Sequence, residues 1–88
     1  MTIVQFPSIP SPQAVLAALY RLGQQFPAWT LEVDVSEDGR PSVSALHRAA
    51  GGSVSAHWDH RGWAVLDEDM GLVAHGADLS TTLSGVLV

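Results

Sequence analysis

Residues 29–39, WTLEVDVSEDG, contain both the alternation of a β-strand and the turn that ends it. Apolar residues occupy every second position from Trp29 to Val35, which is the pattern of a strand with one apolar face. The Ser36-Glu37-Asp38-Gly39 sequence that follows favours a type I turn with its glycine in the left-handed region. Together they predict the first half of a β-hairpin with a three-residue loop and a bulge.

The next run of sequence, residues 41–47, supports this turn. The bulged loop sets a register of four cross-strand pairs on the apolar side: Val35 with Pro41, Val33 with Val43, Leu31 with Ala45 and Trp29 with His47. A shift of one residue would turn every side chain of the second strand to the other face of the sheet. Because the apolar sides of both strands coincide in this register, the hairpin has support that is independent of the turn residues.

A second turn, Asp59-His60-Arg61-Gly62, follows the same pattern: it begins with a short side chain that can accept a hydrogen bond and ends with glycine. It joins two further strand-like runs. The same bulged loop predicts two core pairs, Trp58 with Ala64 and Ala56 with Leu66. Trp63 and Val65 would then lie on the opposite, outer face of the sheet. A plain two-residue turn would reverse that assignment.

One helix is predicted before the strands in the sequence and another after them. Ser11-Pro12 favours a helix start, because serine can cap free amides and proline is tolerated at the first helical position. Over about residues 12–24 the spacing predicts a helix, with one apolar stripe: Val15, Leu19, Leu22 and Phe26. Asp78 can cap a second helix over about residues 79–87, with four apolar residues on one face: Leu79, Leu83, Val86 and Leu87. Residues 1–10, with two prolines, are expected to be extended.

The elements add up to an α+β fold in two layers. A third turn is predicted at 67–71 and a short fifth strand at 72–75. The sheet is then an antiparallel meander of four or five strands, with the two helices packed on one face. The length of 88 residues predicts a single domain over residues 1–88.

The charge balance narrows the choice of partners. Four arginines stand against nine acidic residues, and the net charge is −5. Nucleic-acid-binding proteins usually carry a basic patch that displaces counterions, so direct binding to DNA or RNA is not expected. The same balance suits another protein with a basic surface.

Other bulk features predict a cytoplasmic protein. The chain has no cysteine, so it has neither disulfides nor thiolate metal ligands. No stretch approaches the roughly 18 apolar residues of a membrane span. The first residues lack the basic start and apolar centre of a signal peptide.

Catalytic chemistry is not expected, although Ser55, His57 and Asp59 share one face of one strand. Alternate residues of a strand are about 6.6 Å apart, with nearly parallel side chains. A nucleophile and its base need a separation of about 3 Å. We therefore expect a polar outer face rather than a hydrolytic triad, and a protein that is not an enzyme and binds no cofactor.

A metal-binding or hydrolytic protein that uses His57, Asp59 and His60 is kept as a second alternative. His57, Asp59 and the turn residue His60 are near one another in sequence, and imidazole and carboxylate are zinc ligands. A further ligand would have to come from a distant residue such as His75. His47 falls on the inward face and is interpreted as a partly buried histidine with its hydrogen bonds satisfied.

The leading hypothesis is a small acidic protein that binds and inhibits or modulates another protein, for example as a phage- or plasmid-borne inhibitor that competes for a basic, nucleic-acid-binding surface. Affinity would come from an exposed apolar patch, and carboxylates would steer the partner. A homodimeric accessory subunit is the alternative, because an uncovered sheet face or free edge can pair with its copy. The predicted partner-binding residues are Trp63, Val65, His57, Leu46, Arg61, Glu32, Asp34, Asp59, Asp67, Glu68 and Asp69.

Overall fold

A computed structural model describes residues 10–87 of the chain. The extended segment predicted for residues 1–10 lies, apart from Pro10, outside the described residues. Within them, the elements are α1 (Pro12–Gln25), β1 (Trp29–Val35), β2 (Pro41–His47), β3 (Ser53–Asp59), β4 (Gly62–Asp67), β5 (Leu72–Gly76) and α2 (Leu79–Ser84). The strands form one antiparallel sheet in sequence order. The predicted α+β meander is confirmed.

Helix α1 forms where its stripe and its cap predict it. The Ser11 hydroxyl accepts a hydrogen bond from the Ala14 amide at 3.2 Å, with Pro12 in the first turn. The helix ends at Gln25, with Phe26 as its C-cap directly before Pro27. Its core side is small and aliphatic: Val15, Ala18, Leu19 and Leu22.

Helix α2 is shorter than predicted. Asp78 caps it as expected, since its carboxylate accepts the Thr81 amide hydrogen at 2.9 Å, and this bond holds the pKa of Asp78 below its ordinary value. The helix ends at Ser84, with Gly85 as its C-cap, because threonine, serine and glycine favour helix poorly. Leu87 still lies in the core beyond the helix end.

Both helices pack on one face of the sheet, where they enclose one apolar core. The core residues of the sheet alternate along the inner strands, as one-sided burial requires. They are Val43, Ala45, Val54, Ala56, Trp58, Trp63 and Val65. Residues from both helices complete the same cluster.

The first hairpin has the predicted register. All four predicted pairs, from Trp29 with His47 to Val35 with Pro41, are present. Gly39 has a φ of 82°, in the left-handed region that the bulged loop requires. The Ser36 amide donates to the Arg40 carbonyl at 3.0 Å, which closes the loop.

The predicted register of the second hairpin is wrong by one residue. Trp58 pairs with Trp63, and Asp59 pairs with Gly62, so only His60 and Arg61 form the turn. The side chains of Trp63 and Val65 therefore face the helices, with 2% and 0% of their surface exposed. The predicted outer-face patch of Trp63 and Val65 does not exist.

The physical reason lies in the residues after the turn. The two-residue turn places Trp63 and Val65 in the core, whereas the bulged loop would place Ala64 and Leu66 there. Trp63 and Val65 together have the larger apolar area, and the free energy gained by burial scales with that area. Neither His60 nor Arg61 adopts a positive φ, so the turn is not one of the primed types usual in tight hairpins. Gly62, which follows the turn, has a φ of 150°, and glycine adopts this conformation without steric cost.

Candidate functional site on the open face of the sheet

The side of the sheet that faces away from the helices is here called the open face. Strand alternation assigns its residues, because their neighbours on each strand point into the core. No helix or strand within residues 10–87 packs over it. The side chains of the open face are those of Thr30, Glu32, Asp34, Ser42, Ser44, Leu46, Ser53, Ser55, His57, Asp59, Ala64, Leu66, Leu72 and His75.

Hydroxyl groups and carboxylates dominate the open face, and none of its strand positions holds an arginine. Arg48, which follows β2, donates a hydrogen bond from its Nε to the Thr30 hydroxyl at 3.1 Å. Glu32 and Asp34 lie on the edge strand β1 and are exposed. Within the described residues Glu32 makes no hydrogen bond or ion pair. Its carboxylate is available to a partner.

A shallow groove of about 280 Å³ runs across β1, β2 and β3 on this face. It is here called the Glu32 groove, and it is lined by Thr30, Glu32, Ser44, Ala45, Leu46 and Ser53. Leu46 is exposed and lies between its cross-strand neighbours Thr30 and Ser53. The groove thus combines one free carboxylate, three hydroxyls and an aliphatic surface. Such a combination suits a basic side chain, whose methylene stem is apolar and whose end is charged.

Ser55 and His57 are closer than strand spacing predicted. His57 Nε2 lies 3.1 Å from Ser55 Oγ, because the long imidazole side chain leans along the strand. The expectation that these two groups stay apart is wrong. Asp59, however, contacts His75 at 3.0 Å and not His57. Ser55 and His57 therefore form one pair and Asp59 and His75 another, and His57 lacks the orienting carboxylate of a triad.

The Asp59 carboxylate stabilises the second turn. Its carboxylate accepts the Arg61 amide hydrogen at 2.7 Å, and this bond, followed by the contact with His75, lowers the pKa of Asp59. Gly62, which pairs with Asp59, has no side chain to separate that carboxylate from β5. Arg61 itself is exposed in the turn.

The other histidines do not assemble a metal site. His60 is exposed in the turn beside the Asp59–His75 pair. Within residues 10–87, no three side chains of histidine, aspartate or glutamate are grouped so as to hold an ion. His47 is half-buried as predicted: its Nδ1 accepts the Ala50 amide hydrogen at 3.0 Å, and its ring meets Trp29 edge-on at 5.1 Å.

The acidic turn between β4 and β5 uses one of its carboxylates internally. Asp67 Oδ1 accepts hydrogen bonds from the amides of Asp69, at 3.0 Å, and Gly71, at 2.8 Å. Glu68 and Asp69 are exposed. Of the predicted acidic residues of this turn, these two remain available for steering a partner.

The structure thus keeps part of the predicted partner surface together and removes another part. Five of its residues share the open face: Glu32, Asp34, Leu46, His57 and Asp59. Trp63 and Val65 lie in the core, and Asp67 is the last residue of β4, with Glu68 and Asp69 in the turn that follows. Sequence reasoning missed the exposed apolar residues that precede and form β5. The uncharged run Leu72–Gly76 was the signal that could have identified them.

No family model matches this chain, and no curated protein or solved structure was found that resembles it. None of the helices within residues 10–87 is long and apolar enough to cross a membrane.

Proposed function

We propose that this protein is a non-catalytic binding module that recognises a basic segment of another protein in the Glu32 groove. The single observation that carries the proposal is an unpaired carboxylate beside an exposed leucine, on a sheet face that the described residues leave uncovered. The Ser55–His57 and Asp59–His75 pairs are separate and form no catalytic relay, so they do not favour a hydrolytic function over binding.

The spacing of the carboxylates suggests the form of the partner. Glu32 and Asp34 are alternate residues of β1, so they point the same way about 7 Å apart. An extended segment with basic residues at alternate positions repeats at the same distance. Such a segment could place one basic side chain in the groove, with its stem against Leu46, and the next one at Asp34.

The energetics favour a moderate, salt-sensitive affinity. An exposed ion pair contributes only about 0.2–1 kcal/mol, so two pairs alone do not make a stable complex. The net charge of −5 adds long-range attraction toward a basic surface and speeds association. If that surface normally holds nucleic acid, the carboxylates of this protein would compete with phosphates, and inhibition is the mode of action that we propose.

Removal of the two carboxylates tests the proposal. The probe is a fluorescein-labelled peptide of alternating arginine and valine, and its binding is followed by fluorescence anisotropy. We expect Glu32→Gln combined with Asp34→Asn to weaken binding about tenfold, which corresponds to about 1.4 kcal/mol. Leu46→Ser should weaken it further, because the arginine stem loses its apolar contact.

The matched control is Glu37→Gln combined with Glu68→Gln, which removes the same charge from exposed turn positions outside the groove. Its effect should be small and should vanish as salt screens long-range attraction. Equal losses for the two double variants at high ionic strength would show that net charge, and not the Glu32 groove, attracts the peptide. That result would refute the proposed site.

A further inference from the structure

A second cleft lies on the helix side of the sheet, between α1 and the edge strand β1. It encloses about 520 Å³, which is within the range of roughly 300–1,000 Å³ that is usual for ligand-binding clefts. It is here called the α1–β1 cleft, and its lining includes Leu19, Tyr20, Gly23, Trp29, Leu31 and Arg48.

The space in the α1–β1 cleft exists because α1 has a glycine at position 23. A Cβ added to Gly23 would meet no other atom within 4 Å, although the residue is half-buried. The walls beside it are aromatic: Trp29, whose ring meets His47 edge-on, and Tyr20, which is exposed. The cleft therefore has room for an apolar side chain that no described residue supplies.

Edge strand β1 has free backbone groups beside this cleft. The Arg48 amide donates to the Ala28 carbonyl at 2.9 Å, so the even-numbered residues of β1 exchange hydrogen bonds with β2. The N–H and C=O groups of Leu31 and Val33 therefore point away from the sheet, and no hydrogen bond within residues 10–87 uses them. Such a row of groups is a template for an added strand.

Arg48 lies at one end of this row. Its bond to the Thr30 hydroxyl at 3.1 Å holds the guanidinium beside the start of β1. Although the chain has nine acidic residues, no carboxylate in the described part of the chain forms an ion pair with Arg48. Its two terminal nitrogens are therefore available to a carboxylate of another molecule, which a guanidinium binds through two parallel hydrogen bonds.

We infer that the basic segment recognised by this protein is the C-terminal end of its partner, and that it pairs with β1 as a sixth, antiparallel strand. This inference rests on the proposed function. An antiparallel strand on this edge ends where β1 begins, which is where Arg48 lies. The terminal carboxylate of the partner thus meets the guanidinium.

Strand alternation then specifies the sequence of the partner. A partner residue opposite Glu32 or Asp34 points to the open face, where a basic side chain complements the carboxylates. A partner residue opposite Leu31 or Val33 points toward α1, and the last of these apolar side chains enters the α1–β1 cleft. The predicted ligand therefore ends with a basic, an apolar, a basic and an apolar residue, followed by a free carboxylate.

Two versions of one peptide test the inference by fluorescence anisotropy on the full chain. Both carry fluorescein at the N-terminus and end in Arg-Val-Arg-Val, one with a free carboxylate and the other with a carboxamide. We expect amidation to weaken binding about fivefold, because the bond to Arg48 loses its charge. Attraction by net charge alone predicts the opposite, since the amide is the more positive peptide and this protein carries −5.

Arg48→Gln shows where that difference arises. This variant should bind the acid and the amide within about twofold of each other, because neither gains a charged partner. Arg21→Gln is the matched control: it removes the same charge from an exposed position on α1 outside the cleft, and it should keep the fivefold difference. Equal affinity of the unchanged chain for both peptides, or a difference that survives Arg48→Gln, would overturn the inference.

Methylated peptides test the strand pairing. In the inferred register the inner valine of the peptide lies opposite Val33 and donates its amide hydrogen to β1, whereas the arginine amides point away. N-methylation of that valine should weaken binding about tenfold, and N-methylation of the arginine that follows it should have a much smaller effect. Equal losses from the two methyl groups would mean that the peptide does not pair with β1.

Gly23→Leu separates the cleft from folding. Leucine favours helix more than glycine, so the melting temperature should stay the same or rise. The new side chain fills the α1–β1 cleft, so binding of the acid peptide should weaken severalfold. Unchanged binding would overturn the placement of the last apolar side chain.

Failure of this inference differs from failure of the proposed function. If amidation has no effect but Glu32→Gln with Asp34→Asn weakens binding of both peptides, the Glu32 groove still holds a basic segment and only its end and its pairing are wrong. If those two substitutions have no effect on either peptide, the proposed function fails. Self-association of this chain that displaces the peptide would assign the edge of β1 to a second copy and overturn the inference.

Discussion

Two turns with the same sequence pattern produce two different hairpins in this protein. Ser36–Gly39 and Asp59–Gly62 each begin with a small acceptor residue and end with glycine. In the first, Gly39 has a φ of 82° and lies in the loop between paired strands. In the second, Gly62 has a φ of 150° and is the first residue of β4, paired with Asp59. The pattern specifies a turn, but it does not specify the register of the strands.

The residues that flank each turn supply the missing information. At the first hairpin the bulged loop already brings the two apolar faces together. At the second, the bulged loop would bury Ala64 and Leu66, whereas the two-residue turn buries Trp63 and Val65. At about 0.8 kcal/mol per buried methylene equivalent, burial of Trp63 and Val65 stabilises the fold by at least about 2 kcal/mol more than burial of Ala64 and Leu66 would. Burial therefore outweighs the usual preference for primed turns.

Among the substitutions that test this comparison, truncation of Trp63 should change the free energy of unfolding most. Trp63→Ala should lower the free energy of unfolding by about 3–5 kcal/mol, because it opens a cavity among core residues. Leu66→Ala is the control from the same strand, and it should cost less than about 1.5 kcal/mol since Leu66 lies on the open face. Urea unfolding followed by circular dichroism measures both.

If Trp63→Ala does not fold, Trp63→Phe provides a milder change at the same site. It should still cost more than Leu66→Ala. A larger loss from Leu66→Ala than from either Trp63 variant would mean that the second hairpin has the bulged register after all.

The two glycines offer a direct comparison of the turns. An added Cβ on Gly62 would lie 2.5 Å from the Gly76 carbonyl oxygen, whereas one on Gly39 would meet nothing within 4 Å. Gly62→Ala should therefore cost about 2–3 kcal/mol, from strain and from displacement of β5. Gly39→Ala should cost about 1–2 kcal/mol, from its positive φ alone.

Chemical denaturation of the two variants side by side is the measurement. Because both substitutions add the same methyl group and the same stiffness to the unfolded chain, their difference reports on the folded turns. A smaller loss at Gly62 than at Gly39 would contradict the close approach between β4 and β5.

The sequence predicted those parts of the fold that local rules and burial agree on. Helix α1 and the first hairpin follow from a cap, a stripe and a turn that all favour one structure. The groove residues Glu32 and Leu46 belong to that hairpin, and their placement on the open face was predicted correctly. The placement of Trp63 was wrong because it depended on a turn rule at a place where burial opposes the rule.

Other features were beyond the sequence for different reasons. The contact of Asp59 with His75 joins residues 16 apart in sequence and depends on the register of two hairpins at once. The positive φ of Met70 is set by the turn around the Asp67 carboxylate, in a position where glycine would be the expected residue. The first feature is a consequence of tertiary pairing and the second of local turn geometry, and the periodicity of the sequence reports neither.

The carboxylates of the two turns provide the finest comparison. Asp38 and Asp59 both have a pKa below the ordinary value of 3.8. For Asp38 the largest cause is the hydrogen bond from the Ser36 hydroxyl, whereas for Asp59 it is the backbone amide of Arg61, followed by His75. The first carboxylate is held mainly by a side chain, and the second mainly by the backbone of its turn.

The sign of the pH effect is the same for both. A lowered pKa in the folded state means stabilisation that is present above the unfolded value and lost as pH falls through the folded one. Asp38→Asn and Asp59→Asn should each lower the melting temperature at neutral pH, by small amounts because both carboxylates are exposed. The difference from the unchanged chain should shrink once the pH is well below 3.8.

Carboxyl titration by NMR separates the two causes. Ser36→Ala removes the largest contribution at Asp38 and should raise the pKa of that residue clearly toward its ordinary value. His75→Gln removes only the second contribution at Asp59 and should raise the pKa of Asp59 by less, since the Arg61 amide still donates to the carboxylate. A larger shift at Asp59 than at Asp38 would mean that β5, and not the two-residue turn, holds the Asp59 carboxylate in place.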